Sequence, residues 1–448
     1  MPQMAKQQTG SEKFWKTHKK LFERAIIPMK FLKQLSLYTF VGFIGAGINF
    51  FLLPYLSHFI RPGEYGILAM ITSFVTIIVP LISLVAFGLI NVEFFKIRDK
   101  TEFASLFSSI LIIPVIPTII FLVLTCLIPG KLATLFEIPG NKEYWIPIAV
   151  LIAFFSINME ILLGLAITQQ KSLHYAFFFI GKTLIDVGLT VLFVTSMRLN
   201  WEGRLMSLGI TNIIFFIVSL FYFRKQKLIT RNVQWKYVRA GIFFGLPLIL
   251  HTIGKFVINQ SDRIFIAKMV SLDEAGIYNI GYQVGMAQML LVNAAGNFFG
   301  PFLYERLSNL TKNSEREIVK YSYIIMALLF LFLLVLTFAS PYFFSWLIDK
   351  DYSKGAAYVF WIGLSYFFWG VYIIFSSFIF YKAKTNFLGY LAIFNVVVNI
   401  ALNYLLIPKF GGLGAAYATC ISFFFIAIIV IWRSVRLYKL PWFSFYKM

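Results

Sequence analysis

Polar side chains recur with helical spacing inside an apolar stretch near the middle of the chain. His251, Lys255, Asn259 and Asp262 are four, four and three residues apart, which places them on one face of a helix. The next apolar stretch carries a second stripe, formed by Asn279, Gln283, Met286, Asn293 and Asn297. Two adjacent membrane helices with such stripes indicate a water-filled path between them.

Three carboxylates in or beside apolar stretches are candidates for coupling transport to a proton or another cation. They are Glu160, Asp186 and Asp262, and ionisable side chains inside a membrane protein commonly mark ion pathways. Asp262 has an alternative role, because it closes the seventh apolar stretch together with Arg263. The two residues therefore also fit an interfacial pair or a helix-end cap exposed to water.

The composition is that of a polytopic membrane protein. Hydrophobic residues make up 59% of the 448 residues and charged residues only 13%, whereas soluble domains average about 25% charged residues. The net charge of +21 lies in short loops between apolar runs, so it indicates membrane topology rather than binding to nucleic acid. We expect an all-α fold.

The apolar runs predict about twelve membrane-spanning helices, since each is near the roughly 20 residues needed to cross a bilayer. We place them at 35–57, 66–91, 104–128, 144–168, 173–196, 204–223, 238–261, 276–303, 319–347, 355–381, 386–408 and 412–433. Residues 1–34 precede them and combine apolar and basic faces at helical spacing. This pattern predicts a basic amphipathic arm on the cytoplasmic leaflet, with a frayed basic tail as the alternative.

The distribution of basic residues predicts the orientation. If the N-terminus is cytoplasmic, roughly 28 of the 40 Lys and Arg residues lie on the cytoplasmic side, as the positive-inside rule requires. Both termini are then cytoplasmic. The predicted organisation is an N-terminal six-helix half at 35–223, a cytoplasmic linker at 224–237, a C-terminal six-helix half at 238–436 and a cytoplasmic tail at 437–448.

The two halves repeat weakly at a period of about 210 residues. LSHFIRPGEYGILAMIT from Leu56 aligns with IAKMVSLDEAGIYNIGY from Ile266, matching Glu64 with Glu274 and Gly66 with Gly276. An even number of helices in each half keeps the repeats parallel, which predicts two pseudo-symmetric bundles around a central site.

Twelve helices in two halves, the glutamate-glycine turn after the first helix of each half, and the DEAGIY turn together resemble a known family. The chain looks like a Wzx-type polysaccharide flippase, from the polysaccharide transporter branch of the multidrug/oligosaccharidyl-lipid/polysaccharide exporter superfamily. The resemblance covers residues 30–436. It implies movement of an undecaprenyl-pyrophosphate-linked oligosaccharide, such as an O-antigen or capsule repeat unit, across the bacterial inner membrane. It also implies a cationic central cavity.

Such a cargo needs positive charge for its diphosphate, so we expect Lys255 and Lys182 to bind it. A lysine at the centre of a membrane helix costs about 2.5–3.5 kcal/mol, so each should face water or a partner. For Lys182 the alternative is an ion pair with Asp186, one helical turn later.

Aromatic and amide side chains suit the glycan, and Trp369 is our candidate for stacking on a sugar ring. The alternative for Trp369 is packing against another helix or lipid. The remaining predicted substrate-binding residues are Arg263, Asn259 and Gln283.

No enzyme is expected, because the sequence has no Walker A motif and no nucleophile with a nearby His and acid. It also has no cluster of metal ligands, so we predict neither a metal site nor a cofactor. Expected partners are the lipid-linked glycan, membrane lipids and glycosyltransferases or a polymerase of the same pathway. Two alternatives stay open: a cation-coupled multidrug exporter of the same superfamily, and a membrane polysaccharide polymerase or ligase.

Overall fold

The computed structural model describes residues 29–382 and 385–442, and these residues fold into helices without a strand. The helices before the predicted linker are α1 (Met29–Ser57), α2 (Pro62–Ser83), α3 (Gly88–Glu93), α4 (Lys100–Leu111), α5 (Val115–Leu127), α6 (Pro129–Leu135), α7 (Trp145–Thr168), α8 (Ser172–Val191) and α9 (Asn200–Lys225). The helices after it are α10 (Trp235–Met269), α11 (Leu272–Gly285), α12 (Gln288–Ser308), α13 (Lys312–Leu347), α14 (Ala356–Tyr381), α15 (Thr385–Phe410) and α16 (Gly412–Leu437). Residues 1–28 of the predicted arm and 443–448 of the predicted tail lie outside the described residues.

The protein is a multi-pass membrane protein, as the sequence predicted. Within the described residues, ten helical segments are long and apolar enough to cross a membrane. The two predicted spans missing from these ten are the seventh, which is α10, and the eighth, which contains α11 and α12. Both carry the polar stripes seen in the sequence, and the eighth is also divided, since α11 has only 14 residues.

Three predicted spans are not single helices. The span at 66–91 breaks where α2 ends, because Leu84 and Val85 adopt positive φ angles of 48° and 51°. The span at 104–128 breaks before Pro114, which caps α5, and the span at 276–303 divides into α11 and α12. Broken helices are tolerated in membrane proteins where neighbouring protein surrounds the freed backbone groups. Gly245 of α10 supplies such close packing, since a Cβ atom there would lie 1.7 Å from the Leu84 carbonyl oxygen.

The repeat seen in the sequence is also present in the packing of α2 against α11. A Cβ atom on Gly66 would lie 2.1 Å from the carbonyl oxygen of Leu272, and one on Gly276 would lie 1.9 Å from the carbonyl oxygen of Pro62. Only glycine permits backbones to approach this closely. We call this contact between residues 62–66 and 272–276 the glycine crossing. Its two sides come from matching positions of the two halves.

Further contacts join the two halves beside the glycine crossing. The Tyr352 hydroxyl donates a hydrogen bond of 2.6 Å to the carbonyl oxygen of Ile60. The backbone N–H of Asp349 donates to Ser57 Oγ at 3.0 Å, and the Asp349 carboxylate lies 3.5 Å from His58 Nδ1. These contacts hold the two halves together at this end of the bundle.

Candidate functional site

A cavity of about 330 Å³ lies between the two halves, next to the glycine crossing. Its walls come from α2 and α9 of the N-terminal half and from α10, α11 and α14 of the C-terminal half. The lining residues are Tyr65, Leu68, Thr72, Thr76, Arg204, Leu208, Gln260, Arg263, Asn279, Tyr282, Gln283, Met286 and Tyr366. None of these described residues is a carboxylate, whereas two are arginines.

Arg263 lies in the wall that α10 and α11 form, and its residue is only 3% exposed. Its Nε donates a hydrogen bond of 3.0 Å to Asn279 Oδ1. Its guanidinium group is 4.1 Å from the centre of the Tyr282 ring, which is close enough for a cation–π interaction. These contacts orient a positive charge at the edge of the cavity.

Arg204 supplies the second positive charge from α9. Its Nη1 donates to Asp186 Oδ1 at 2.7 Å, to Thr190 Oγ1 at 2.9 Å and to Ser207 Oγ at 3.1 Å. Among the described residues, the ion pair of 4.0 Å or less at Asp186 is therefore with Arg204 and not with Lys182, although Lys182 lies near enough to be attracted to that carboxylate. Arg204 was not among the residues predicted from the sequence, since Lys182 is the basic residue nearest to Asp186 along the chain.

Lys182 and Glu160 lie close to each other on α8 and α7. Their charges attract each other, and Lys182 is also attracted to Asp186. Among the described residues, Lys182 makes no ion pair of 4.0 Å or less. Glu160 is exposed although it lies deep within α7. Neither residue lines the 330 Å³ cavity.

Asp262 is fully buried in α10. Its Oδ2 accepts hydrogen bonds from the Tyr278 hydroxyl at 2.6 Å and from Thr419 Oγ1 at 3.4 Å. The prediction that Asp262 ends a helix in water is wrong, because α10 continues for almost two turns to Met269. The residue joins α10 to α11 and α16.

The remaining predicted substrate-binding residues occupy different places. Gln283 lines the cavity, and its Nε2 lies 3.5 Å from the Tyr65 hydroxyl. Trp369 does not line it: its ring stacks on Tyr372 at a centroid distance of 4.8 Å and contacts Phe423 at 5.2 Å. Lys255 and Asn259 are in α10, but their side chains lie outside the described residues.

Two glutamates at matching positions of the repeat tie distant helices together within each half. Glu64 Oε1 accepts a hydrogen bond of 3.1 Å from Asn200 Nδ2, at the start of α9. Glu274 Oε1 accepts one of 3.1 Å from the backbone N–H of Gly412, at the start of α16, and another from the Tyr358 hydroxyl. The sequence matched the two glutamates but did not reveal their partners.

A family model described as "Polysaccharide biosynthesis protein" matches residues 31–299, more than half of the chain. The chain belongs to this family. The Haemophilus influenzae protein named "Lsg locus putative protein 1" is 25% identical over 390 residues, which are 83% of this chain and 90% of that protein.

Solved structures of this fold include transporters. The lipid II flippase MurJ in its inward closed conformation is similar with a TM-score of 0.67 and 17% identity, over 89% of this chain and 87% of that one. A multidrug resistance MATE family transporter of the MOP superfamily, facing inward, is similar with a TM-score of 0.61 and 12% identity, over 88% and 96%. The resemblance inferred from the sequence is confirmed at the level of family and fold.

Proposed function

We propose that this protein translocates an undecaprenyl-pyrophosphate-linked oligosaccharide across the bacterial inner membrane by alternating access. The observation that carries the proposal is the central cavity, whose lining contains Arg204 and Arg263 and, among the described residues, no carboxylate. Arg204 is also paired with Asp186, which lies outside the lining. A guanidinium group binds phosphate oxygens through charge-assisted hydrogen bonds. The membership in a polysaccharide biosynthesis family supports a glycan-bearing cargo.

The glycan of such a cargo needs hydrogen-bonding side chains. The same cavity offers the amides of Gln260, Asn279 and Gln283 and the hydroxyls of Thr72 and Thr76, which together provide donors and acceptors. Its tyrosine rings provide surfaces on which a sugar can rest. We keep Lys255, Asn259 and Lys182 as proposed substrate-binding residues and Trp369 as a proposed stacking residue.

The candidates for coupling transport to an ion are the three carboxylates Glu160, Asp186 and Asp262. Asp186 is held by Arg204 at 2.7 Å, so it cannot take up a cation while that ion pair persists. Glu160 is accessible and has Lys182 as a neighbouring positive charge, whereas Asp262 is enclosed by hydroxyl donors. We propose Glu160 as the group that exchanges an ion during the cycle, with Asp262 as the second candidate.

The topology proposed from the sequence completes this function. Both termini and the linker at 224–237 face the cytoplasm, and the halves at 35–223 and 238–436 move relative to each other. Neither a cofactor nor a reaction is required, and the protein acts as a transporter rather than an enzyme. Glycosyltransferases or a polymerase of the same pathway are proposed partners.

A cation-coupled multidrug exporter is the second candidate, because the fold is shared with a MATE transporter. A cationic drug would enter a cavity lined by Arg204 and Arg263, and like charges repel one another in a poorly hydrated site. The electrostatics of the cavity therefore favour an anionic cargo.

The decisive experiment compares Arg263→Gln with Arg316→Gln in cells that lack the wild-type gene. Arg316 is exposed on α13 and provides a matched loss of charge outside the cavity. A lost hydrogen bond to a charged group costs about 1.5–3 kcal/mol, so we expect Arg263→Gln to reduce surface glycan roughly tenfold or more. Lipid-linked repeat units should accumulate in the cytoplasmic leaflet, while the variant is as abundant in the membrane as the wild type.

The same assay tests Lys255→Ala, for which we also expect impaired flipping. Normal glycan display in Arg263→Gln, with equal protein in the membrane, would exclude the proposed role of the cavity. Unchanged lipid-linked glycan combined with new sensitivity to cationic dyes would favour the exporter.

A further inference from the structure

A second cavity lies in the N-terminal half, at the end of the helices opposite to the glycine crossing. Its volume is about 980 Å³, and its walls come from the loop before α4, the junction of α7 and α8, and the linker after α9. The helices α4, α7, α8 and α9 are all candidate membrane spans that begin or end here. The cavity is therefore at the level where the membrane meets water.

Four basic side chains line this cavity: Arg98, Lys100, Lys171 and Lys227. In the described part of the chain, none of them makes an ion pair of 4.0 Å or less. The one carboxylate in the lining, Asp99, caps α4 by accepting hydrogen bonds of 2.9 Å from the backbone N–H and the hydroxyl of Thr101. The cavity thus has an excess of positive charge.

The neighbouring acids have other hydrogen-bond or ion-pair partners. The Glu102 carboxylate accepts a hydrogen bond of 2.6 Å from the Tyr237 hydroxyl, and Glu93 pairs with Lys96 at 2.8 Å. With four basic side chains and one carboxylate in its lining, the cavity has a net positive charge that suits an anion.

One wall of the cavity is aromatic. Phe95 is 71% exposed, its ring lies 5.3 Å from that of Phe94, and Phe94 lies 5.5 Å from Phe103. This row leads from an exposed surface into the cavity beside the charges. A ligand that matches both features has an anionic head and a hydrocarbon portion.

The wall formed by the linker is fixed in place by serines of α4. Ser105 Oγ donates a hydrogen bond of 2.6 Å to the carbonyl oxygen of Asn232. Ser108 Oγ accepts one of 2.8 Å from the N–H of Thr230, and Ser109 Oγ accepts one of 2.9 Å from the N–H of Gln234. The cavity is therefore built by tertiary structure, and Lys227 of the linker is held opposite the basic residues of the other loops.

We propose that this cavity binds one anionic phospholipid of the surrounding leaflet, with its phosphate among the four basic residues and its acyl chains beside the row of phenylalanines. Basic pockets at the ends of membrane helices suit phospholipid headgroups. The bound lipid joins Lys227 of the linker to Lys100 and Lys171 of the helical bundle. It thereby stabilises the position of the linker that connects the two halves.

The test uses the purified full-length protein, delipidated in detergent, with native mass spectrometry to count bound phosphatidylglycerol and phosphatidylcholine of equal chain length. The variant is the triple substitution Lys100→Gln, Lys171→Gln and Lys227→Gln. The control removes equal charge from exposed positions of α13, with Lys312→Gln, Arg316→Gln and Lys320→Gln. The single substitutions Lys100→Gln and Lys171→Gln are measured as well, in case the triple variant is not recovered folded.

Each basic residue near a membrane surface contributes about fivefold to the binding of an anionic lipid. We therefore expect phosphatidylglycerol to bind on the order of 100-fold more weakly to the triple variant, about fivefold more weakly to each single variant, and normally to the control. Phosphatidylglycerol should also raise the Tm of the wild type more than that of the triple variant.

Three results would overturn the proposal. One is phosphatidylglycerol binding by the folded variants that equals that of the wild type. Another is wild-type binding of phosphatidylcholine as tight as that of phosphatidylglycerol. The third is an equal rise of Tm with inorganic phosphate, which would identify a free anion as the ligand.

Discussion

Substitution of Gly276 by alanine should open the glycine crossing. The added Cβ atom would lie 1.9 Å from the carbonyl oxygen of Pro62 and 2.9 Å from the backbone nitrogen of Gly66. Both obstructing atoms belong to the backbone, so no rotation of a side chain relieves the contact. Because Cβ atoms keep at least 3.0 Å from such neighbours, α2 and α11 must separate by more than about 1 Å.

The magnitude follows from the cost of overpacking a well-packed contact, which is about 1–3 kcal/mol. This cost applies only to the conformation in which the crossing is closed. In a protein that exchanges between closed and open crossings, it shifts their ratio by roughly 5-fold to 150-fold. The hydrogen bond from Tyr352 to Ile60, which spans the same end of the bundle, should weaken in parallel.

Hydrogen–deuterium exchange measures this shift directly, in peptides that cover residues 62–70 and 272–280. We expect exchange at both segments to accelerate at least fivefold in Gly276→Ala. The matched control is Gly188→Ala in α8, where no atom lies within 4 Å of the added Cβ, and there we expect no change. Gly66→Ala should act like Gly276→Ala, and the double variant should be less than additive because both substitutions separate the same two backbones.

Unchanged exchange at both segments in Gly276→Ala, in protein that is intact and folded, would refute the reasoning. It would mean that the two backbones are farther apart than the structure has them. Slower hydrogen–deuterium exchange within α8 of Gly188→Ala would say nothing about the crossing, since alanine stabilises a helix interior relative to glycine by about 0.5–1 kcal/mol.

Further predictions concern polar contacts within each half. Asp186→Asn should lower the free energy of unfolding of the purified protein by about 1.5–3 kcal/mol in thermal or denaturant unfolding, because the partly buried Arg204 loses its charged hydrogen-bond partner; no loss of stability would contradict this. Glu274→Ala should lower the free energy of unfolding by about 1–3 kcal/mol, because the Tyr358 hydroxyl and the Gly412 N–H both lose their acceptor. An unchanged Tm would count against this prediction. The hydrogen bond to Glu202 raises the pKa of Lys142. This pair should therefore stabilise the protein fully at pH values below the ordinary pKa of lysine. The stabilisation should be lost as the pH rises through the raised pKa of Lys142. The Tm difference between the wild type and Lys142→Met should accordingly shrink towards high pH, and a constant difference would contradict the assignment.

The positions and order of the long helices were predictable because they depend mainly on length and hydropathy, and ten of the twelve predicted spans are long and apolar enough to cross a membrane within the described residues. Each predicted span coincides with one or two helices of the structure. The second polar stripe was also informative, since its residues Asn279, Gln283 and Met286 line the central cavity. Helical periodicity determines which residues share a face, and a face that is polar inside a membrane must meet water or protein.

The partners of the charged residues were not predictable from local spacing. Arg204 lies 18 residues from Asp186 along the chain, and the two meet only because α8 and α9 pack against each other. The break after α2 has no signal in the sequence either, because Leu84 and Val85 are apolar residues that rarely adopt positive φ. Such features depend on tertiary packing, which a single sequence does not reveal.

The repeated glutamates explain how each half can act as a unit. Glu64 ties α2 to the start of α9, and Glu274 ties α11 to the start of α16. Each tie lies within one half, whereas the glycine crossing joins the halves through the close approach of two backbones. Helices that are hydrogen-bonded to their own half should move with it. At the crossing itself the contact is between backbones, and the hydrogen bonds beside it, from Tyr352 to Ile60 and from Asp349 to Ser57, also join one half to the other. Separation of the halves therefore breaks contacts between them and leaves the ties within each half intact, as a rigid-body mechanism requires.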